Sequence, residues 1–492
     1  MKTRRHFLKC LSFIPLAASG CAIWAKETSI RWVNDIHSKL NRTRVDKIHQ
    51  PQSLYELRGI VQQAATKGQE ISICGGRHAM GGQQFGTGTQ LIDVNALNRI
   101  RMFNRTKGIL EVEAGIQWPE LIEQLLRLQK DEPAPWTIAQ KQTGADRLTV
   151  GGALAANIHS RGLTMQPIIS NVDSFEILLA SGAVKRCSRQ ENAELFKLAI
   201  GGYGLFGIIT TVRLQLVRRK KLQRRVELSS IDTLIESFDT AIAKSALYGD
   251  FQFSIDPAND DFLQKGVLSI YYPVGFDTAM ETTRQQLDAD TWNQLLLLAH
   301  TDKSKAFQLY SDFYRQTDGQ LYWSDEHQMN SYSDDYHLHI DEQMGGKHPG
   351  SEMITEIYVP RSRLAEFMAK AATDFRTHKV DVIYGTIRLI ERDDESYLTW
   401  AKQDYACIIL NLHINHTKPD IARAAEAFRR LIDIAISLGG SYYLTYHRWA
   451  TKAQLLQCYP KFPEFLQKKI AYDPNERFQS DWYRHNKQLI LS

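Results

Sequence analysis

The sequence predicts an α+β chain of two large lobes, and three observations lead there. With 492 residues, 43% of them hydrophobic, the chain is long for one domain and can fill two substantial cores. Residues 48–94 run strand, helix and strand around a Gly-rich loop, in the manner of a βαβ unit. From about 225 to 435, strand-like runs are interleaved with helical ones, the texture of a sheet layer carrying helices. Charge narrows the partners: 60 Lys plus Arg against 55 Asp plus Glu leave a net +5 spread along the chain, which argues for no nucleic-acid partner.

Residues 1–26 read as a targeting segment and stand outside the fold. Arg4-Arg5 precede an apolar stretch from Cys10 to Trp24, shorter than the span of about 20 residues that a membrane requires. This arrangement resembles the twin-arginine export signal. A periplasmic protein is expected, with membrane association only through this segment. Ala18-Ser19-Gly20-Cys21 loosely resembles a lipoprotein cleavage box, although Ala18 replaces the usual larger aliphatic residue. The six cysteines (Cys10, Cys21, Cys74, Cys187, Cys407 and Cys458) show no CxxC spacing, so neither a zinc site nor a disulfide framework is indicated.

Ile48 to Pro51 read as a strand ending, and Ser53 caps a helix whose apolar positions are 54, 57, 60 and 61. Ile71-Ser72-Ile73-Cys74 lead into Gly75-Gly76-Arg77-His78-Ala79-Met80-Gly81-Gly82-Gln83, and Leu91 to Val94 lead away. Glycine lets backbone amides approach an anionic ligand closely; a plain hairpin turn with an exposed histidine has the same composition. Ile109 to Glu113 alternate as a strand and Trp118 to Leu128 space as a helix. Thr149-Val150-Gly151-Gly152, with the small residues that follow, suit either a flat ligand lying on main chain or close helix packing. A hairpin turns at Ser181-Gly182, and a short helix over 192–200 leads to Gly202-x-Gly204-x-x-Gly207. That fingerprint stands in reversed context, helix before and strand after, so a nicotinamide-binding Rossmann reading is discounted. Arg218-Arg219-Lys220-Lys221 with Arg224-Arg225 read as a solvated linker. Strands are expected at 248–255, 267–272, 353–359, 380–390 and 405–414, with helices near 281–300 and 362–377. His337 and His339, spaced i and i+2 as on one strand face near Asp334, Asp335 and Asp341, suggest a metal; lacking a confirming ligand cluster, they are read as a polar loop rimming a cleft, and no metal is expected.

The loop at 75–83 resembles the flavin-attachment loop of the vanillyl-alcohol oxidase, or PCMH-type FAD-linked oxidase, family. Cytokinin dehydrogenases and alditol oxidases of that family bond FAD to a histidine, and His78 falls on that position. The Thr149 to Gly152 turn and the Gly207-Ile208-Ile209 turn also match the family. The resemblance implies a PCMH-type FAD-binding domain of two small α/β subdomains over 40–218, an α+β substrate cap over 225–435, and a C-terminal return over 436–492. It places the FAD, covalent through His78, on Gly75, Gly76, Arg77, His78, Ala79, Met80 and Gln83. Thr149, Val150, Gly151, Gly152, Ala155 and His159, then Gly207, Ile208 and Ile209, complete the cofactor-binding set. Thr143 to Val150 contain no cysteine, so a second covalent link of the kind seen in bicovalent relatives is not expected.

On the substrate side the resemblance to alditol oxidases points to Arg388 and His413, and Tyr446 with His447 fall on the substrate wall. A surface ion pair to Glu391 or Glu395 is the alternative for Arg388, and a core histidine for His413. Thr386 stands where the family's glutamate would be, which weakens a polyol substrate. The resemblance to cytokinin dehydrogenases, which carry an aspartate base upstream of the Thr-Val-Gly-Gly turn, makes Asp146 a candidate base, although the strict spacing lands on Gly144 and Asp146 is two residues nearer. The implied activity is an FAD-dependent oxidoreductase taking hydride from an alcohol, sugar-like or lactone substrate to flavin N5, with oxygen or another carrier as electron acceptor. Two other readings stay open: a non-covalent epimerising oxidase similar to decaprenylphosphoryl-ribose oxidase, and a flavin-binding protein without turnover.

Overall fold

The computed structural model describes residues 31–280, 284–329 and 336–492. The export signal expected over 1–26 and the pair Asp334 and Asp335 lie outside the described residues.

A three-stranded parallel sheet opens the N-terminal lobe, with Gln90–Asp93 between Lys47–His49 and Ile71–Cys74. Helix Leu54–Thr66 makes the crossover; the Ser53 side chain caps it, and Leu57, Val61 and Ala64 form its buried stripe. Every residue of Gln90–Asp93 is buried, as expected for a parallel strand covered on both faces. A five-stranded antiparallel sheet follows, in the order Val184–Ser188, Val172–Leu178, Ile208–Gln215, Ile109–Glu113, Ile100–Asn104. Leu178 and Ile208 of this sheet join Ile92 of the first sheet and Leu57 and Val61 of its crossover helix in one buried cluster.

The eight-stranded sheet of the second lobe runs Leu321–Trp323, Lys221–Ser230, Lys265–Val274, Tyr248–Phe253, Val382–Ile390, Tyr405–Asn415, Gly350–Pro360, Ser441–Tyr442. Its strands pair antiparallel throughout. Because side chains alternate, Ile409 and Asn411 face the cavity described below while Ile408 and Leu410 point the other way. Helices Ala289–Thr301 and Lys303–Gln316 lie over the cavity side, contributing Trp292, Leu295, Phe307 and Tyr310 to its wall.

The structure moves two expected boundaries. The eight-stranded sheet begins at Lys221 and ends with Ser441–Tyr442, which pairs with Tyr358 and Ile357, so the return to the first lobe starts only after 442. From there the chain docks on the parallel sheet: Phe478 bridges Ile71, Gln479 N donates to Ile71 O at 2.8 Å, and Asp481 N donates to Phe85 O at 2.7 Å. The basic run at 218–225 is no solvated linker. Arg219 pairs with the fully buried Asp325 at 2.9 Å, and Arg224, buried in the sheet, donates to Tyr271 and Thr317. Residues 336–343, expected to be a polar loop, form a helix in which His337 is buried and His339 exposed.

Candidate active site

Strand Ile71–Cys74 delivers the Gly-rich loop into the space between the lobes. A Cβ at Gly75 would run into the Thr149 side chain, and one at Gly76 into the Arg147 carbonyl. The loop therefore packs against the turn at 147–149 only because those positions lack side chains. Arg77 adopts φ +59°, a left-handed conformation uncommon outside glycine, and its guanidinium reaches Asp93 at 3.4 Å. Asp93 also accepts from Asn95 Nδ2 at 2.6 Å, and Asn95 donates to Gly75 O at 3.1 Å. Further along, Asn41 donates to Met80 O, and Gln83 donates to Leu444 O at 2.8 Å, tying the loop to the returning C-terminal segment. Backbone strain held by such surroundings is characteristic of a functional loop.

His78 sits in this loop with Nδ1 2.8 Å from His37 Nε2, while its own Nε2 is buried without a hydrogen-bond partner. Burial first, and His37 second, push its pKa well below the ordinary histidine value. The ring is neutral at physiological pH and carries a nucleophilic lone pair.

The second half of the site is the turn at 149–152. The structure makes it the start of helix Val150–Ala156, capped by Thr149 Oγ1, which accepts from Gly152 N at 3.2 Å. The third half-turn, Gly204 to Ile209, lies between helix Ala193–Ala199 and strand Ile208–Gln215, the reversed order expected from the sequence.

These segments line one cavity of about 890 Å³, at the upper end of the range for small-molecule sites. Gly75, Gly76, Arg77, His78, Ala79, Met80 and Gln83 contribute, as do Thr149, Gly151, Gly152, Ala155, Gly207, Ile208 and Ile209. The cavity continues into the second lobe as far as Arg388, Asn411 and Tyr446.

Four expected site residues do not line it. Val150 is wholly buried in the main core. His159 faces away from the cavity and meets Glu356 at 2.5 Å, both side chains being fully buried. Burial would raise the Glu356 carboxyl, but His159, Tyr358 and Cys407 outweigh it and hold the group below its usual value. His413 lies beside Glu352, His300 and His337. His447 is stacked on Phe428 and 3.2 Å from Thr355 Oγ1.

Burial, then Arg429, pushes the His447 pKa down from 6.5 to about 3. The unfolded chain therefore binds more protons than the folded one between those values, so the stability this residue contributes is full above 6.5 and is lost as pH falls. His447→Phe cannot protonate, and its Tm relative to the natural protein should rise on acidification through that window. A gap between the two melting curves that stays constant with pH would show that His447 protonates equally in both states.

Arg388 resolves in favour of the cavity. Its ordinary surface partners are engaged elsewhere, Glu391 with Arg361 at 2.8 Å and Glu395 with Arg189 at 2.7 Å. The Arg388 side chain is buried, and its Nε and Nη1 have no hydrogen-bond partner among the described residues. Tyr446 donates to Glu356 Oε2 at 3.2 Å; burial and that carboxylate push its pKa well up, so it is a neutral phenol. Asp146 does not line the cavity either, and its carboxylate meets the buried Lys141 ammonium at 2.6 Å.

Sequence reasoning missed Asp250, Arg161 and Arg224 on the cavity wall. Asp250 is held by Arg161 at 3.2 Å and by Gln252 at 3.1 Å. The pairing of Phe251 with Ile387 sets Asp250 and Arg388 at neighbouring positions on adjacent strands. The available signal was Arg224 at an internal position of an alternating strand, which the neighbouring basic residues concealed.

Residues 45–188 match the family described as an FAD binding domain. Bovine L-gulonolactone oxidase is 28% identical over 200 residues, covering 40% of this chain and 43% of that protein. Rice cytokinin dehydrogenase 3 is 35% identical over 151 residues, 30% of this chain and 27% of that protein. The chain thus spans less than half the length of these curated relatives. The matched residues include the Gly-rich loop and the Thr149 turn, while the Gly207 turn lies beyond them, and the residues present fit the cofactor. Gly75, Gly76, Gly151 and Gly152 line the cavity without side chains of their own, and His78 lines the same space, which is large enough for a small-molecule group.

Proposed function

We propose that the protein is an FAD-dependent oxidoreductase that takes hydride from a C–H bond beside oxygen on a small alcohol, sugar-like or lactone substrate. The observation that carries this reading is Arg388, a buried cation whose Nε and Nη1 have no hydrogen-bond partner among the described residues, at the second-lobe end of the cavity that starts at the His78 loop. FAD, when bound, supplies a two-electron acceptor whose reduced form carries added negative charge. Gly75 to Met80 and Thr149 to Gly152 would hold it by main-chain contacts, and His78 would hold it covalently. Support for the covalent link is the neutral His78 imidazole, together with its position in the loop that lines the cavity.

Within the chain, Arg388 supplies positive charge in a dry setting, where it acts more strongly than in water. Asp250 can accept the substrate proton at its carboxylate, because Arg161 and Gln252 hold it at the cavity wall. The Tyr446 hydroxyl, kept protonated and directed to Glu356, orients substrate as part of the wall and is no base. Apolar side chains such as Leu295, Phe307 and Ile354 exclude water from the same space. Oxygen or another carrier reoxidises the protein. An anaerobic panel of aldonolactones, sugars and alcohols, followed by loss of flavin absorbance, tests the activity. A protein that binds flavin but is bleached by no member of the panel would leave the non-catalytic reading standing.

Export by the twin-arginine route to the periplasm belongs to the same proposal and rests on Arg4-Arg5 ahead of the apolar run. Replacing both arginines by lysine should trap the precursor in the cytoplasm. Undiminished periplasmic yield would remove the assignment.

A further inference from the structure

Four side chains from four separate elements converge beside the cavity: His300 from helix Ala289–Thr301, His337 from helix Tyr336–Gln343, Glu352 from strand Gly350–Pro360 and His413 from strand Tyr405–Asn415. Their ligand atoms all lie within 4.8 Å of one another. Glu352 Oε1 is 2.6 Å from His337 Nε2, 3.2 Å from His300 Nε2 and 3.9 Å from His413 Nδ1. Two donors each about 2.0–2.1 Å from a tetrahedral ion stand roughly 3.3 Å apart, so these separations straddle a coordination shell.

Hydrogen bonding does not account for the cluster. Both ring nitrogens of His300 and of His337, both oxygens of Glu352 and Nδ1 of His413 are buried without a hydrogen-bond partner among the described residues. The side chains are 1%, 10%, 4% and 12% exposed for His300, His337, Glu352 and His413 respectively. Leaving so many buried polar atoms unsatisfied in one place is costly, and an ion taking one donor atom from each of the four residues would satisfy four of them. Asp341 Oδ1 stands 3.7 Å from His337 Nδ1 while its Oδ2 accepts from Gly350 N at 2.9 Å. A carboxylate behind a ligating imidazole is the usual outer support of a metal site. The absence of a side chain at Gly350 is also needed, since a Cβ there would stand 2.7 Å from His413 Cε1 and 3.0 Å from Asp341 Oδ1.

We propose that His300, His337, Glu352 and His413 bind a divalent first-row transition-metal ion of the zinc class. Three imidazoles and one carboxylate are borderline donors with no thiolate, the set that suits Zn²⁺ and its neighbours rather than Ca²⁺ or Cu⁺. Four protein donors make the site closed and structural. The ion pins helices Ala289–Thr301 and Tyr336–Gln343 to two neighbouring strands of the eight-stranded sheet. Ala299, Tyr336 and Glu352 belong at once to this cluster's surroundings and to the cavity wall, so the site fixes the shape of the substrate end. This inference goes beyond the flavin chemistry and does not depend on it.

The test uses full-length, untagged protein stripped with a chelator and dialysed against Zn²⁺ or Co²⁺. Stoichiometric metal by elemental analysis, an intense visible Co²⁺ band of the tetrahedral kind, and a higher Tm with Zn²⁺ are expected. His300→Gln and Glu352→Gln, nearly isosteric, should each lose the Co²⁺ band and the Zn²⁺-dependent rise in Tm. His339→Ala, at the exposed neighbouring histidine, should keep both. Substoichiometric metal in the unaltered protein, a weak octahedral Co²⁺ spectrum, or full metal retention in the folded Glu352→Gln variant would each overturn the site.

Discussion

Arg388→Ala is expected to keep its flavin while anaerobic reduction of that flavin by a working substrate slows by about 10²–10³, the usual loss when one preorganised charge-stabilising group is removed. The expectation follows from the side chain's setting. Cys407 is its neighbour on one adjacent strand and Asp250, already held by Arg161, on the other; Glu391 and Glu395 are paired elsewhere, and its Nε and Nη1 find no acceptor among the described residues. A buried cation is costly unless something with negative charge completes it. Arg388→Met keeps most of the length without the charge and should be as slow as alanine, which separates charge from packing. Stopped-flow reduction at the wild-type rate in either variant would place Arg388 outside the reaction and remove the observation on which the functional proposal stands.

His78→Ala should release all its flavin on acid precipitation, whereas the pellet of the unaltered protein stays yellow. The substitution removes one contact to His37 and one unpartnered nitrogen, while the loop remains anchored through Asn95, Asn41 and Gln83. The variant should therefore fold and bind FAD reversibly. Flavin wholly in the supernatant of the unaltered, fully loaded protein would show that attachment is not covalent, leaving the main-chain cradle as the only hold.

Local chemistry made much of the first lobe legible. The helix Trp118–Leu128 and the strand Ile109–Glu113 stand where periodicity puts them, because the pattern of apolar residues records which face of an element is covered. Gly75 and Gly76 could be read as a close-approach loop because only glycine tolerates backbone contact on that side. The reversed helix–strand context around Gly202 to Gly207 likewise set aside a Rossmann reading before any fold was known.

What the sequence by itself determined about this protein was each element's own type and covered face, together with the loop chemistry at His78. Only the tertiary structure decided which distant residues meet. Whether Arg388 faced a surface glutamate or a cavity depended on the pairing of Val382–Ile390 with both its neighbours, and a slip of one residue would have turned it to the other face. The same dependence hid Arg224 inside a sheet and turned His159 away from the cavity toward Glu356. It also gathered His300, His337, Glu352 and His413, with more than a hundred residues between first and last, around one point that no local pattern encodes.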